Sequence, residues 1–198
     1  MSFWDNVSVF YDFTQGFNKQ VYSKIIKLVT SLVPVGAKVL DCAAGTGELS
    51  LAAAKKASLV ICTDCSEKML NVAYKKAKKR NVNNIIFEQR DIYCLKDKNE
   101  SYDAVIAGNV LHLLDDPQKA VKELLRVTKK GGILLLPTFL SNSSNPLIRI
   151  YKHFGFKQET EFTARKYSDM LKNCCGESVK ITVIKGKVPC CFAAIRKK

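Results

Sequence analysis

Short apolar runs alternate along the chain with longer segments whose apolar positions recur every three or four residues, which predicts strands alternating with helices. The runs ending at Asp41, Ser58–Asp64 (SLVICTD), Ile85–Asp91 (IIFEQRD), Tyr102–Gly108 (YDAVIAG) and Ile133–Pro137 read as buried strands. Between them, Ser66–Arg80 carries Met69, Val72, Ala73 and Ala77 at helical spacing, and a second helix runs from Pro117 to about Val127 with Asp116 as its N-cap. Gly131-Gly132 is expected to end that connection and start the fifth strand. A polar loop, Ser141–Asn145 (SNSSN), then leads into Pro146–Phe156 and a helix Thr163–Asn173. The runs Val179–Ile184 and Cys190–Arg196, parted by Lys185-Gly186-Lys187, read as an antiparallel hairpin. The expected fold is therefore α/β: a Rossmann-like, doubly wound, mostly parallel seven-stranded sheet with a C-terminal antiparallel hairpin.

The stretch Lys38–Ser50, KVLDCAAGTGELS, adds chemistry to this pattern, because the first strand ends in Asp41 and a turn with Gly45 and Gly47 follows at once. Glycines let the backbone turn sharply and let a ligand lie on main-chain N–H groups where a helix begins. A carboxylate at the strand tip would repel a pyrophosphate but suits a ligand that carries a sulfonium and an ammonium. A dinucleotide fingerprint would also place a third glycine near Ser50, where a serine stands. Asp64 follows Gly45 by nineteen residues, where a ribose-binding carboxylate belongs, and Asp91 closes the third strand in the same way. Together these features favour S-adenosyl-L-methionine over NAD.

Through LDCAAGTGELS, ICTDCSEKML, QRDIYCL, SYDAVIAGNVLHLLDDP and KKGGILLLP, the first 137 residues or so resemble the class I S-adenosylmethionine-dependent methyltransferases. The similarity is closest to the small-molecule branch that includes the ubiquinone/menaquinone-biosynthesis C-methyltransferases. The resemblance implies that Gly45, Thr46 and Gly47 hold the methionine part of the cofactor, with Asp41 and Ala43 also among the cofactor-binding residues. It also implies that Asp64 holds the ribose, with Cys65 beside it and Met69 against the adenine. Asp91 would accept from the adenine amino group, the backbone of Ile92 would meet a ring nitrogen, and Asn109 would lie near the sulfonium. The segment FYDFTQGFN resembles the family's cofactor-covering segment, in which Tyr11 would approach the methionine end. The chain then divides as one domain, 1–198: cofactor-covering helices over 1–37, the cofactor-binding core over 38–137, and the substrate-side segment with the closing hairpin over 138–198.

Composition narrows the picture. A chain of 198 residues, 47% hydrophobic and 25% charged, can bury a full core. No run is apolar enough to span a bilayer and MSFWDNVSVFYD is not a signal sequence, so a cytoplasmic location is expected. The formal net charge of +14 is uneven: residues 149–198 hold twelve Lys/Arg against four Asp/Glu. That bias admits an anionic acceptor, an RNA or a lipid surface, or serves solubility. Lys75–Arg80 (KKAKKR) ends a helix, where cations complement the dipole. Of the eight cysteines, Cys42, Cys62, Cys65 and Cys94 sit in or beside core strands and ligand loops, and Cys174–Cys175 and Cys190–Cys191 are vicinal. Reduced, buried thiols are expected, against a soft-metal or metalloid site formed by the two pairs, and no metal ligand is assigned.

The reaction expected is methyl transfer to a small-molecule acceptor, giving S-adenosyl-L-homocysteine, with the protein positioning the reactants and excluding water. The rivals are an RNA or protein methyltransferase using the basic C-terminal face, and a non-catalytic S-adenosylmethionine-binding protein. An Asn/Asp-Pro-Pro-aromatic run is missing after the fourth strand, where GNVLHLL stands, which favours a small organic acceptor. His112 in that run reads either as a general base or as a packed residue shaping the loop. Tyr11 is the other candidate at the reacting end. Phe3, Trp4, Phe10, Phe13 and Phe17 surround it in an aromatic segment that could cover a cationic cofactor or simply pack, and His153 falls in the substrate-side segment.

Overall fold

The computed structural model describes residues 18–140, 160–176 and 179–198. Tyr11, the N-terminal aromatics, the SNSSN loop, Pro146–Phe156 and His153 lie outside the described residues. The strands are β1 (Lys38–Cys42), β2 (Leu59–Asp64), β3 (Ile85–Gln89), β4 (Tyr102–Ile106), β5 (Thr128–Phe139), β6 (Val179–Ile184) and β7 (Cys190–Arg196). The helices are α1 (Lys19–Leu32), α2 (Glu48–Ala53), α3 (Glu67–Lys79), α4 (Pro117–Val127) and α5 (Ala164–Cys175).

Alternation along the strands sorts their side chains to two covered faces. On one face Leu40, Val105, Leu134 and Leu136 pack with Val121 and Leu124 of α4 and Tyr167 and Leu171 of α5. On the other, Val39, Val60, Ile106 and Leu135 pack with Val21, Ile25 and Val29 of α1 and with Leu49 of α2. Because both faces are covered, β1 reads as nearly continuous apolar sequence, with only Lys38 exposed. The strands form one seven-stranded sheet in the order β3-β2-β1-β4-β5-β7-β6. β1 to β5 pair in parallel, and β7 runs antiparallel between β5 and β6. Sequence order reverses between β1 and β4, so the crevice beyond their C-terminal ends is the place where a doubly wound sheet receives a ligand.

Side-chain caps fix where helices start. Ser66 Oγ accepts from Met69 N at 3.2 Å, Asp116 Oδ1 from Lys119 N at 2.9 Å and Thr163 Oγ1 from Lys166 N at 3.2 Å. The expected Gly131-Gly132 boundary is corrected: β5 begins at Thr128 and the glycines lie inside it. Gly131 takes φ of 71° and the pairing with β4 slips between Tyr102 and Ala104, so the pair marks a bulge rather than a turn. A Cβ on Gly132 would stand 2.8 Å from the Lys129 carbonyl and 3.0 Å from that of Asp103, too close for any other residue. The third and fourth strands also end earlier than the apolar runs suggest, at Gln89 and Ile106, which leaves Asp91 and Gly108 in loops.

The N-terminal segment, expected to cover a cofactor, contributes α1 among the described residues, and α1 buries its apolar face on the sheet. No residue of α1 lines the cleft described below. Among the described residues no helix is long and apolar enough to cross a membrane. α5 is pinned by Tyr167, which is fully buried and whose hydroxyl donates to Leu136 O at 2.9 Å. Tyr167→Phe is expected to cost about 1 kcal/mol, with the fold kept, because the Leu136 carbonyl retains its place in the strand ladder while losing one donor. Urea denaturation of the two proteins measures it.

Candidate functional site

The residues after β1 close a tight turn. Ala43, Gly45 and Gly47 take φ of 53°, 55° and 77° in succession, so three left-handed residues fall within five positions. The turn is held by Ala44 N donating to Thr63 O at 2.9 Å and Gly47 N to Ala44 O at 3.0 Å. A Cβ at Gly47 would stand 2.7 Å from Ala73 Cβ, so a glycine is needed for α3 to pack here. Ala43 is left-handed without being glycine, as is Asn109 (φ 56°) after β4, and both line the same cleft. Strain of this kind persists where surrounding structure over-determines it.

Asp64 ends β2 and joins three elements. Its Oδ2 accepts from Gly45 N at 2.8 Å and its Oδ1 from Ser66 N at 2.9 Å, binding the glycine turn to the start of α3. Burial raises its pKa, and the two backbone donors oppose that rise. An ionised carboxylate offers about four lone-pair sites, so both oxygens keep capacity for ligand hydroxyls.

These elements border a cleft of about 330 Å³ at the C-terminal ends of the strands. Of the residues singled out in the sequence, the structure brings Ala43, Gly45, Asp64, Cys65, Met69, Asp91, Ile92 and Asn109 to its wall. Asp91 Oδ1 accepts from Tyr93 N at 2.8 Å, an Asx turn that fixes the carboxylate's orientation. Asn109 is almost wholly buried, and neither atom of its carboxamide has a partner.

Asp41, Thr46 and Gly47 do not line the cleft. Asp41 is fully buried, takes a 2.6 Å hydrogen bond from Ser50 Oγ, and leaves Oδ1 without a partner. Burial, with Asp64 adding to it, pushes its pKa up to about 7, while the Ser50 bond pulls the other way. Thr46 is buried within the turn. His112 lies off the cleft wall in a short 3₁₀ turn, with Nδ1 3.2 Å from Thr138 Oγ1 and its ring edge-on to Phe139. Burial pushes its pKa down to about 4. Tyr11 lies outside the described residues.

Arg90, Tyr93, Gly108, Val110, Leu113 and Leu114 also line the cleft and were not singled out in the sequence. Gly108 carried a signal in hindsight, since it stands where β4 runs into the loop bearing Asn109; the others come together only through tertiary folding. Four cysteines depart from the expectation of buried thiols, for Cys65 and Cys94 are exposed and Cys174 and Cys175 are half-buried. Partial burial of its sulfur, in a residue exposed as a whole, and the neighbouring Asp64 push the Cys65 thiol up to about 11, so it is protonated at neutral pH. Among the described residues no cluster of His, Cys, Asp and Glu is arranged to hold a metal ion.

Residues 39–132 match the family described as methyltransferase domain. The chain is 39% identical over 106 residues to a ubiquinone/menaquinone biosynthesis C-methyltransferase UbiE of Bdellovibrio bacteriovorus, covering 52% of this chain and 45% of that protein. It is 32% identical over 155 residues to a demethylmenaquinone methyltransferase of Renibacterium salmoninarum, covering 76% and 63%. The chain thus spans about half to two thirds of the length of these relatives. A putative S-adenosyl-L-methionine-dependent methyltransferase of Methanococcus maripaludis superposes with a TM-score of 0.73 over 100% of this chain and 95% of that one, at 20% identity. A structure titled as the complex of the Haloferax volcanii Trm112 methyltransferase activator with a putative methyltransferase gives 0.75 over 98% of each chain at 14% identity. At these identities the structural likeness speaks for the fold.

The buried Asp41 carboxyl has a consequence for pH. Its folded pKa of about 7 stands above the ordinary carboxylate value, so the native state holds the proton more tightly. The group's contribution is therefore most favourable below about pH 4 and is lost as pH rises towards 7. Asp41→Asn is expected to lose less stability between pH 5 and pH 8 than the wild type, read from urea midpoints of the ligand-free proteins.

Proposed function

We propose, for a chain whose residues 39–132 are a methyltransferase domain, that the protein transfers a methyl group from S-adenosyl-L-methionine to a small organic acceptor. The observation that carries the reading is the cleft at the strand-order reversal, which gathers Gly45, Asp64, Asp91 and Asn109 from four consecutive strand ends. The relatives named as a ubiquinone/menaquinone biosynthesis C-methyltransferase and a demethylmenaquinone methyltransferase support an acceptor of the quinone class.

The residues present fit this cofactor. Asn109 offers a buried carboxamide with both ends unpartnered, a polar group that costs stability unless a ligand completes it. Asp64 has spare acceptor capacity for two ribose hydroxyls, and Asp91 holds an oriented carboxylate at the other end. Met69, Ile92, Leu113 and Leu114 give apolar surface for a flat base. The acids on the wall favour a ligand of net positive charge and disfavour a pyrophosphate.

When bound, S-adenosyl-L-methionine supplies an electrophilic methyl carbon on a sulfonium. The chain's own contribution is to hold the two reactants in line and to keep water away. The glycine turn presents backbone to the ligand, Asp64 and Asp91 set its orientation, and Asn109 sits at the wall nearest β4. His112 stays neutral at physiological pH and its Nδ1 is engaged with Thr138, so it serves as a packed residue shaping the β4 loop and is a weak base. Tyr11 is proposed, from the resemblance alone, to approach the methionine end.

Titration calorimetry tests the reading. S-adenosylhomocysteine should bind and NAD should not, and Asp64→Ala should weaken the former by about 1.5–3 kcal/mol, since a charged acceptor is lost. Unchanged binding in that variant removes the ribose assignment. His112→Ala should keep cofactor affinity and lower kcat by less than about 100-fold, below the usual loss for an essential base. A larger fall, recovered at high pH in a folded variant, would restore His112 as the base.

A further inference from the structure

Arg90 is a cation in the wall of a cleft that otherwise favours cationic ligands, and its side chain is 18% exposed. Its charge is neutralised on both sides. Nε and Nη2 donate to Glu88 Oε2 at 2.9 and 2.6 Å, and Nη1 donates to Asp97 Oδ2. Asp97 is itself fixed, because Tyr102 OH donates to its Oδ1 at 2.7 Å and its carbonyl accepts from Arg126 Nη1 at 2.8 Å. One guanidinium therefore clasps the two ends of the loop that carries Asp91, Ile92 and Tyr93.

The same stretch is tied to the other acid-bearing loop. Arg90 N donates to Asp64 O at 3.1 Å, and Gln89 Nε2 donates to Cys65 O at 2.7 Å. Among the described residues Asp91 makes only local bonds, from Tyr93 N to its Oδ1 and from Cys94 N to its carbonyl at 3.1 Å. Its place relative to Asp64 thus depends on its neighbour. Without the guanidinium, Glu88 and Asp97 would face one another as like charges, and the loop would be pushed apart at the point where Asp91 begins.

We propose that Arg90 is the positioning residue for the adenine end of the cleft: by clasping Glu88 and Asp97 it holds the Asp91 carboxylate at a set span from Asp64, and so selects a purine bearing a 6-amino group. The proposal rests on the reading of the cleft as the S-adenosylmethionine site. Arg90 acts through Asp91. A carboxylate held in place accepts from an amino group and repels a 6-oxo oxygen; one free to swing does neither.

The test compares S-adenosylhomocysteine with its 6-oxo purine analogue by calorimetry, alongside the thermal midpoint of each ligand-free protein. The wild type is expected to prefer the adenine form by about 10-fold or more, the scale of one charge-assisted hydrogen bond. Arg90→Gln should weaken S-adenosylhomocysteine about 10-fold and shrink the preference to about 2-fold or less, and Arg90→Lys should restore part of it. Asp97→Asn, which loosens the same clasp, should act in the same direction and serves if Arg90→Gln does not fold. Arg165→Gln, at a side chain 93% exposed on α5, is the control. An undiminished preference in Arg90→Gln, an equal loss for both ligands, or a wild type that does not discriminate overturns the proposal. A wild type that binds neither ligand overturns instead the cofactor reading beneath it.

Discussion

The carboxylate of Asp64 is the contact on which the rest of the site depends. With one oxygen on Gly45 N and the other on Ser66 N, it joins the turn after β1, the end of β2 and the first turn of α3. Hydrogen bonds to a charged acceptor are about twice as strong as neutral ones, and these two link backbones that the sheet alone would leave independent. The turn can then run through three left-handed residues, Gly47 can rest against Ala73, and the floor of the cleft is set.

Burying two acids in one place has a cost, and the chain divides it unequally. Asp64, at the edge of the cleft, is compensated by two backbone donors. Asp41, beneath the turn, has the Ser50 hydroxyl for one oxygen and nothing for the other. Desolvation raises the pKa of both acids, and on Asp41, with the charge of Asp64 adding to it, the rise reaches about 7. The acid in the cleft wall thus keeps two backbone donors that oppose its rise, while the hidden acid is carried up to about 7. Asp41 therefore acts on ligand charge indirectly, through the turn it supports, and the sequence argument that set it at the strand tip against a pyrophosphate is better carried by Asp64 and Asp91.

The legible part of the fold is the part written in local pattern. Apolar runs gave the strands because a parallel sheet covered on both faces needs them, and Asp116 marked a helix start because short polar side chains cap there, as Ser66 and Thr163 also prove to do. Gly131-Gly132 misled because a bulge and a turn ask the same thing of a residue, a positive φ, and only the pairing with β4 tells them apart. In the site, the acids at successive strand ends were legible from spacing. Tyr93, Leu113 and Leu114 were not, since ordinary loop residues become a wall only when the strand order reverses.

Arg90 shows most clearly where pattern reading stops. In IIFEQRD it looks like a strand residue beside an acid, and its partners, Glu88 and Asp97, lie two and seven residues away without any period that would pair them. What selects it is the end of β3 at Gln89, which turns the next residue out of the ladder and over the cleft. A cation there would oppose a sulfonium ligand if it stood alone. Between two carboxylates its charge is more than offset, the trio carrying one net negative charge, and its donors remain as fixed geometry. The cleft wall therefore keeps a negative character, set by Asp64 and Asp91 beside a trio that adds one net negative charge, while the Arg90 clasp fixes the loop that bears Asp91.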